Sequence, residues 1–320
     1  MTLLLIALFA GCASALMFAS IISRELVSLV LIGLASTPLM VAGLAWGPFY
    51  AAIGGLVAML GLGAVFGLSI SISYGLAVAL PAWWLGHLVL LGRPQMSTAV
   101  AAEGAPQLEW YPIGRILLWI AILVVLISMA ALLTFGTDAT TINDTLRQGL
   151  AQSLQIVTGS PVDPNDPAVH SLVGLMPIMI AISSAVTLTL NLWLAAKIAL
   201  ISGRLRRPWP DLRTTALPPM ALAALCVALA FCFSDEMVGI AAKVVAGALM
   251  TAYALTGFAV LHILTREYQS RAFWLGTAYA VVLILVWPIV AMMMLGLADA
   301  VFGFRERFLR KQQPPPLPTP

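Results

Sequence analysis

The chain has 320 residues, 61% of them hydrophobic and 9% charged, with a mean hydropathy of +1.01 and a formal net charge of +3 at pH 7. A water-soluble domain carries about a quarter of its residues as Asp, Glu, Lys or Arg, so a soluble globule is excluded. A net charge this small, divided among short loops, also gives no footprint for nucleic acid.

Charge-free apolar runs, each near the roughly 20 residues needed to cross about 30 Å of hydrocarbon, predict helices at roughly 3–22, 27–46, 48–69, 71–92, 113–135, 171–202, 217–233, 238–265 and 273–298. The runs are continuous and rich in Leu, Ala, Met and Gly, without the alternation of a barrel strand. The expected fold is all-α: a polytopic transmembrane helical bundle of about eight or nine membrane segments, forming one integral membrane domain over residues 1–310. No basic n-region precedes the first apolar run, which therefore reads as a retained span rather than a signal peptide. That run carries Ala7, Gly11, Ala15 and Ala19 at steps of four. Such a small-residue stripe lets another helix approach closely, either within the bundle or from a partner membrane protein. Gly43 with Gly47, Gly63 with Gly67, and the row Gly47, Gly54, Gly61 extend the same texture.

The longest polar segment, 136–170, holds Asp138, Asp144, Asp163 and Asp166 against Arg147 and is expected outside. Within it Ile142, Leu146, Leu150 and Leu154 recur at helical spacing, which predicts an amphipathic helix. "SPVDPNDP" follows as a turn-forming run; it lacks the glycine and terminal glutamate of a calcium loop, so no metal is expected. In the sixth helix Ser184, Thr187 and Asn191 share one face, with Ser183 nearby. An amide facing lipid is costly, so this face points into the bundle, where it either joins two helices or lines a ligand cavity with Thr251, Tyr253 and Thr256 of the eighth.

Lys197 can snorkel towards the helix end. The turn "GRLRRPWPDLR" then reads as a cytoplasmic exit: Gly203 ends the helix, Arg204, Arg206, Arg207 and Arg213 meet headgroups, and Trp209 anchors the interface. The positive-inside rule applied to this loop, about 203–215, puts the N-terminus in the cytoplasm. Counting forward, however, places Arg305, Arg307, Arg310 and Lys311 outside. One late segment therefore fails to cross simply: the last, interrupted by Pro288, or the short seventh, which begins after Pro218 and Pro219. Lys243 lies two turns from Glu236 and reads as a snorkelling or rim residue, and His87 and His262 stand isolated near helix ends. Cys12, Cys226 and Cys232 have neither redox nor metal-ligand spacing and read as packing residues. No span offers paired carboxylates, a histidine cluster or a nucleophile beside a base, so neither an enzyme nor a cofactor is expected. The arginine loop could hold a phosphate, but too few acid or base groups accompany it for a lipid-processing enzyme. "QQPPPLPTP" ends the chain as a proline-rich tail over 311–320.

Together "NLWLAAKIALISGRLRRPWPDLR", "LPP", "TGFAVLHILTRE" at 256–267 and "LGLADAVFGFRER" at 295–307 resemble the YybS-like family of bacterial inner-membrane proteins. The resemblance spans nearly the whole chain, most specifically 185–310. It implies a multi-pass inner-membrane protein whose fold is distantly similar to the substrate-binding S-components of energy-coupling-factor transporters and to cell-shape proteins of the MreD type. Such S-components dock through small residues of the first helix, which Ala7, Gly11, Ala15 and Ala19 would match. Two functions follow: a solute-binding or transport-related protein with a mid-membrane polar cavity, or a non-catalytic scaffold that binds partner membrane proteins. Membrane lipids, a small-molecule solute and a transmembrane partner are the expected contacts.

Overall fold

In hydrocarbon the backbone has no water to bond, so a long apolar run satisfies its own amides as helix. The computed structural model follows this rule; it describes residues 2–23, 25–94, 108–211, 215–265, 269–285, 288–305 and 307, the side chains of Leu26, Val157 and Leu283 excepted. Arg213 and the proline-rich tail lie outside the described residues. The helices are, in order, α1 (Thr2–Ala19), α2 (Leu26–Leu34), α3 (Ser36–Trp46), α4 (Pro48–Phe66), α5 (Leu68–Tyr74), α6 (Leu80–Val89) and α7 (Ile113–Leu133). There follow α8 (Ala139–Thr158), α9 (Pro167–Ile201), α10 (Pro219–Phe231), α11 (Met237–Leu264), α12 (Arg271–Leu285) and α13 (Ile289–Phe302). Among the described residues seven helical segments have the length and apolarity to cross a membrane, and Pro219–Phe231 and Ile289–Phe302 are shorter apolar helices. The chain is a multi-pass, all-α membrane protein.

Three expected helices are interrupted, each near a proline. The run 27–46 is two helices parted at Ala35, because Pro38 has no N–H to give the Leu34 carbonyl. The run 71–92 contains a π-helical turn, Gly75–Ala79, in which the Leu80 N–H reaches back to Gly75, next to Pro81. The last run divides at Pro288 into α12 and α13. At about 1.5 Å per residue, α10 and α13 span only about 20 Å each, short of about 30 Å of hydrocarbon. The short seventh suspect is α10 itself, and the last is split into two arms, α12 and α13, neither of which is long enough alone to cross. A small antiparallel ribbon pairing Gly92–Pro94 with Leu108–Trp110 has no sequence signal; its exposed Arg93–Glu109 pair, 2.8 Å apart, fastens it only weakly.

The chain packs as two compact units, with α7 and α9 contributing stretches to both. In the first, residues 1–112, 122–127 and 183–210, α1 lies directly on α4. A Cβ at Gly11 would stand 2.3 Å from the Gly54 carbonyl oxygen, and one at Gly54 would stand 2.6 Å from that of Ala7. The Ala7–Gly11 half of the small-residue stripe is therefore covered from within the unit; Ala15 and Ala19 are half-buried. Gly47, at φ 122°, makes the tight turn from α3 into α4, where Pro48 fits the first helical turn.

In the second unit α11 is central, with α10 and α13 packed along it. A Cβ at Gly257 would stand 1.8 Å from the Met292 carbonyl oxygen, and one at Gly296 would stand 2.0 Å from that of Tyr253, so the backbones of α11 and α13 touch. The amphipathic helix expected in the polar segment is α8: Ile142, Leu146 and Ala151 are buried while Asp144, Thr145 and Gln148 are exposed. Its N-cap is Asp138, whose carboxylate accepts the Thr141 N–H at 2.9 Å, and Gly159 at φ 70° ends it. Arg147, against Asp144 at 3.2 Å and His170 Nδ1 at 3.0 Å, ties α8 to the start of α9.

Candidate functional site

The interruption at Ala35, whose own backbone stays in the helical region, lies near the middle of an apolar span, and polar side chains of neighbouring helices reach the carbonyls on either side of Leu34. Asn191 Nδ2 on α9 donates to the Gly33 carbonyl at 2.8 Å. Thr37 Oγ1 donates to Asn191 Oδ1 at 3.2 Å, so one amide holds both sides of the break. From α1, Ser14 Oγ donates to the Ala35 carbonyl at 2.6 Å. The hydroxyl of Ser14 has one hydrogen, already given, so the Tyr74 hydroxyl at 2.7 Å is the donor between those two. Tyr74 is fully buried, its ring edge-on to Phe18 at 5.3 Å. Three helices thus converge on one broken span.

Asn191, 1% exposed, sits at the centre of this node with both ends of its amide engaged. Ser184 and Thr187 are half-buried on the same helix and take no part in those bonds. Thr251, Tyr253 and Thr256 belong to the core of the second unit: Thr251 Oγ1 donates to the Gly247 carbonyl at 2.9 Å and Thr256 Oγ1 to that of Tyr253 at 2.8 Å. Both hydroxyls are satisfied on their own helix. His262, isolated in sequence, lies with Nε2 2.9 Å from the Tyr279 hydroxyl. Ser14, Thr37 and Tyr74 are the node residues that sequence reasoning missed. The one available signal was "STP" at 36–38, a proline with two hydroxyl residues inside an apolar run.

Beside the break, between α1, α3 and α9, lies an open groove of about 530 Å³. Ile6, Phe9, Ala10 and Met17 of α1 form one wall, with Leu194 and Ile198 of α9 opposite. Thr37 is the only hydroxyl residue in its lining, at the foot of the break. α1 runs opposite to α3, since Ser14 meets Ala35 whereas Ala7, a turn and more earlier, meets Gly54 beside Leu39. The groove's Met17 end therefore lies at the break, and its Ile6 end lies towards Trp46.

At that second end the basic turn assembles. Gly203, at φ 68°, ends α9 as expected, and the N–H groups of Arg204 and Leu205 both turn back to the Ala199 carbonyl at 2.9 and 3.0 Å. The Arg204 guanidinium lies 4.9 Å over the ring of Trp46, which also lines the groove. Lys197 Nζ lies 4.0 Å over Trp209. Arg206 is exposed, while Arg207 is buried and donates to the Val89 carbonyl at the end of α6 at 3.2 Å, a favourable place for a cation. Burial lowers the pKa of Arg207 below the ordinary arginine value. Among the described residues no group of His, Cys, Asp and Glu could hold a metal ion.

No curated protein and no solved structure matches this chain. A family model, "Predicted membrane protein (DUF2232)", matches residues 12–300, and the chain belongs to that family.

Proposed function

We propose that this member of the DUF2232 family is a solute-binding or transport-related membrane protein that takes an apolar or amphipathic molecule into the groove between α1, α3 and α9. The observation that carries the reading is the break at Ala35: Asn191 and Ser14 hold the Gly33 and Ala35 carbonyls on the protein side, while Thr37 and Pro38 face the groove. Irregular backbone at membrane depth is tolerated where protein buries it or where it lines a cavity, and interrupted helices recur at the binding sites of transporters. Apolar walls select by shape and hydrophobicity; at the inner end the Thr37 hydroxyl already donates to Asn191, so no free donor is offered there.

The N-terminal end of α1 and the basic turn after α9 lie at the same end of the first unit, and by the positive-inside rule this supports a cytoplasmic side for both. Docking through the small-residue stripe is not part of the reading, because Gly54 already occupies Ala7 and Gly11.

Native mass spectrometry of the protein released from its own membrane tests the proposal. One retained small molecule per chain is expected, and Ala10→Phe, which puts a ring into the groove, should remove it. A wild-type chain that carries none, or an Ala10→Phe chain that keeps its load, overturns the proposal.

A further inference from the structure

We infer that the occupant of the groove is an anionic phospholipid, with one acyl chain along α1 and its phosphate on Arg204 at the Trp46 end. The inference deepens the reading above and rests on it. Its first support is length. From Ile6 to Met17 the helix rises about 16 Å, close to one leaflet, half of about 30 Å of hydrocarbon. A chain entering at the interface would end beside Thr37, where the break is sealed.

The second support is access. Phe9 lines the groove and is 70% exposed, and its neighbours Leu5 and Leu8 are 50% and 40% exposed, so the groove opens sideways to the bilayer. The third is charge at the Trp46 end. Arg204 lies over the Trp46 ring that closes the groove, and Lys197 follows Leu194 and precedes Ile198 of the lining on α9, whereas the polar groups at the other end are spent on the broken helix. The Trp46 ring holds Arg204 at the rim, and a guanidinium fork matches phosphate oxygens. A neutral solute would leave these cations unused; a free phosphate would leave the groove empty.

The test reloads delipidated full-length protein from mixed micelles holding equal amounts of phosphatidylglycerol and phosphatidylcholine with identical acyl chains, and counts bound lipid by native mass spectrometry. Wild type should prefer the anionic lipid. Arg204→Gln and Lys197→Gln should each cut that preference about fivefold, the effect of one basic residue near an anionic headgroup, while Arg204→Lys, which keeps the charge but loses the fork and the ring stacking, should fall between Arg204→Gln and wild type. Ala10→Phe should lower retention of both lipids, with an unchanged gel-filtration profile confirming the fold. Equal loading of the two lipids on wild type overturns the anionic assignment and leaves groove binding standing. A preference unchanged in Arg204→Gln and Lys197→Gln overturns the assignment too, as does displacement of the lipid by inorganic phosphate. Retention unaffected by Ala10→Phe overturns both this inference and the reading beneath it.

Discussion

Asn191→Leu is the most informative single change, because leucine keeps the branched shape and the number of heavy atoms while removing every hydrogen bond of the amide. It deletes the 2.8 Å bond to the Gly33 carbonyl and the 3.2 Å bond from Thr37 at a site 1% exposed. Interhelical polar bonds in membranes average about 0.6 kcal/mol and reach about 1.7. A buried group left without a partner costs about 1–3 kcal/mol. A loss of about 2 kcal/mol follows, roughly a 30-fold shift in the folding equilibrium by these magnitudes. Thr37→Val removes only the longer bond and should cost about 0.6 kcal/mol. Because the two residues share that bond, the double variant should lose less than the sum of the two single losses. Steric trapping in bicelles measures all three. An Asn191→Leu protein as stable as wild type, or losses that simply add, would refute the claim that the amide holds the break.

Gly11→Ala puts a methyl group against the Gly54 backbone, which cannot yield as a side chain would; about 1–3 kcal/mol should be lost. Gly61→Ala on α4, with nothing within 4 Å of the new Cβ, should be close to neutral, both variants being measured by steric trapping in bicelles. Arg305→Ala breaks a buried ion pair: its Nε is 2.5 Å from Asp299 Oδ2, and its guanidinium also donates to the Thr215 carbonyl. A loss of about 3–5 kcal/mol is expected, read as faster proteolysis of the C-terminal segment. The Asp138 pKa is lowered to about 2 from an ordinary 3.8, first by the Thr140 hydroxyl and then by Thr141. Since the folded value is the lower one, its contribution is present above about pH 4 and is lost as pH falls through about 2. Hydrogen exchange at the start of α8 should rise across that window, and Asp138→Asn should remove the pH dependence while keeping the cap.

Much of the architecture can be read from hydropathy because length and apolarity alone require helix in a bilayer. Local chemistry also marks Gly203 as a helix end, the buried stripe of α8 and the interruption at Pro288. Asn191 had to face inward by the cost of exposing an amide to lipid. Its partners were another matter: Ser14 and Tyr74 lie 60 residues apart, and no local period pairs them. The run 27–46 has the same hydropathy whether it is one helix or two, so the break at Ala35 shows only as a hint in Pro38. Thr251 and Thr256 illustrate the opposite difficulty. A hydroxyl on an inward helix face suggests a cavity, yet it can bond back to its own helix and ask nothing of a ligand.

The central claim is that a molecule from the bilayer lies in the groove beside the broken span. Photo-crosslinking in native membranes, with a diazirine-bearing acyl chain and mass mapping of the adducts, tests it directly. Adducts concentrated on Phe9, Met17, Val41 and Ile198, and lost in Ala10→Phe, are the expected result. Adducts spread evenly over exposed outer positions such as Leu60, Val65 and Phe233 would contradict it.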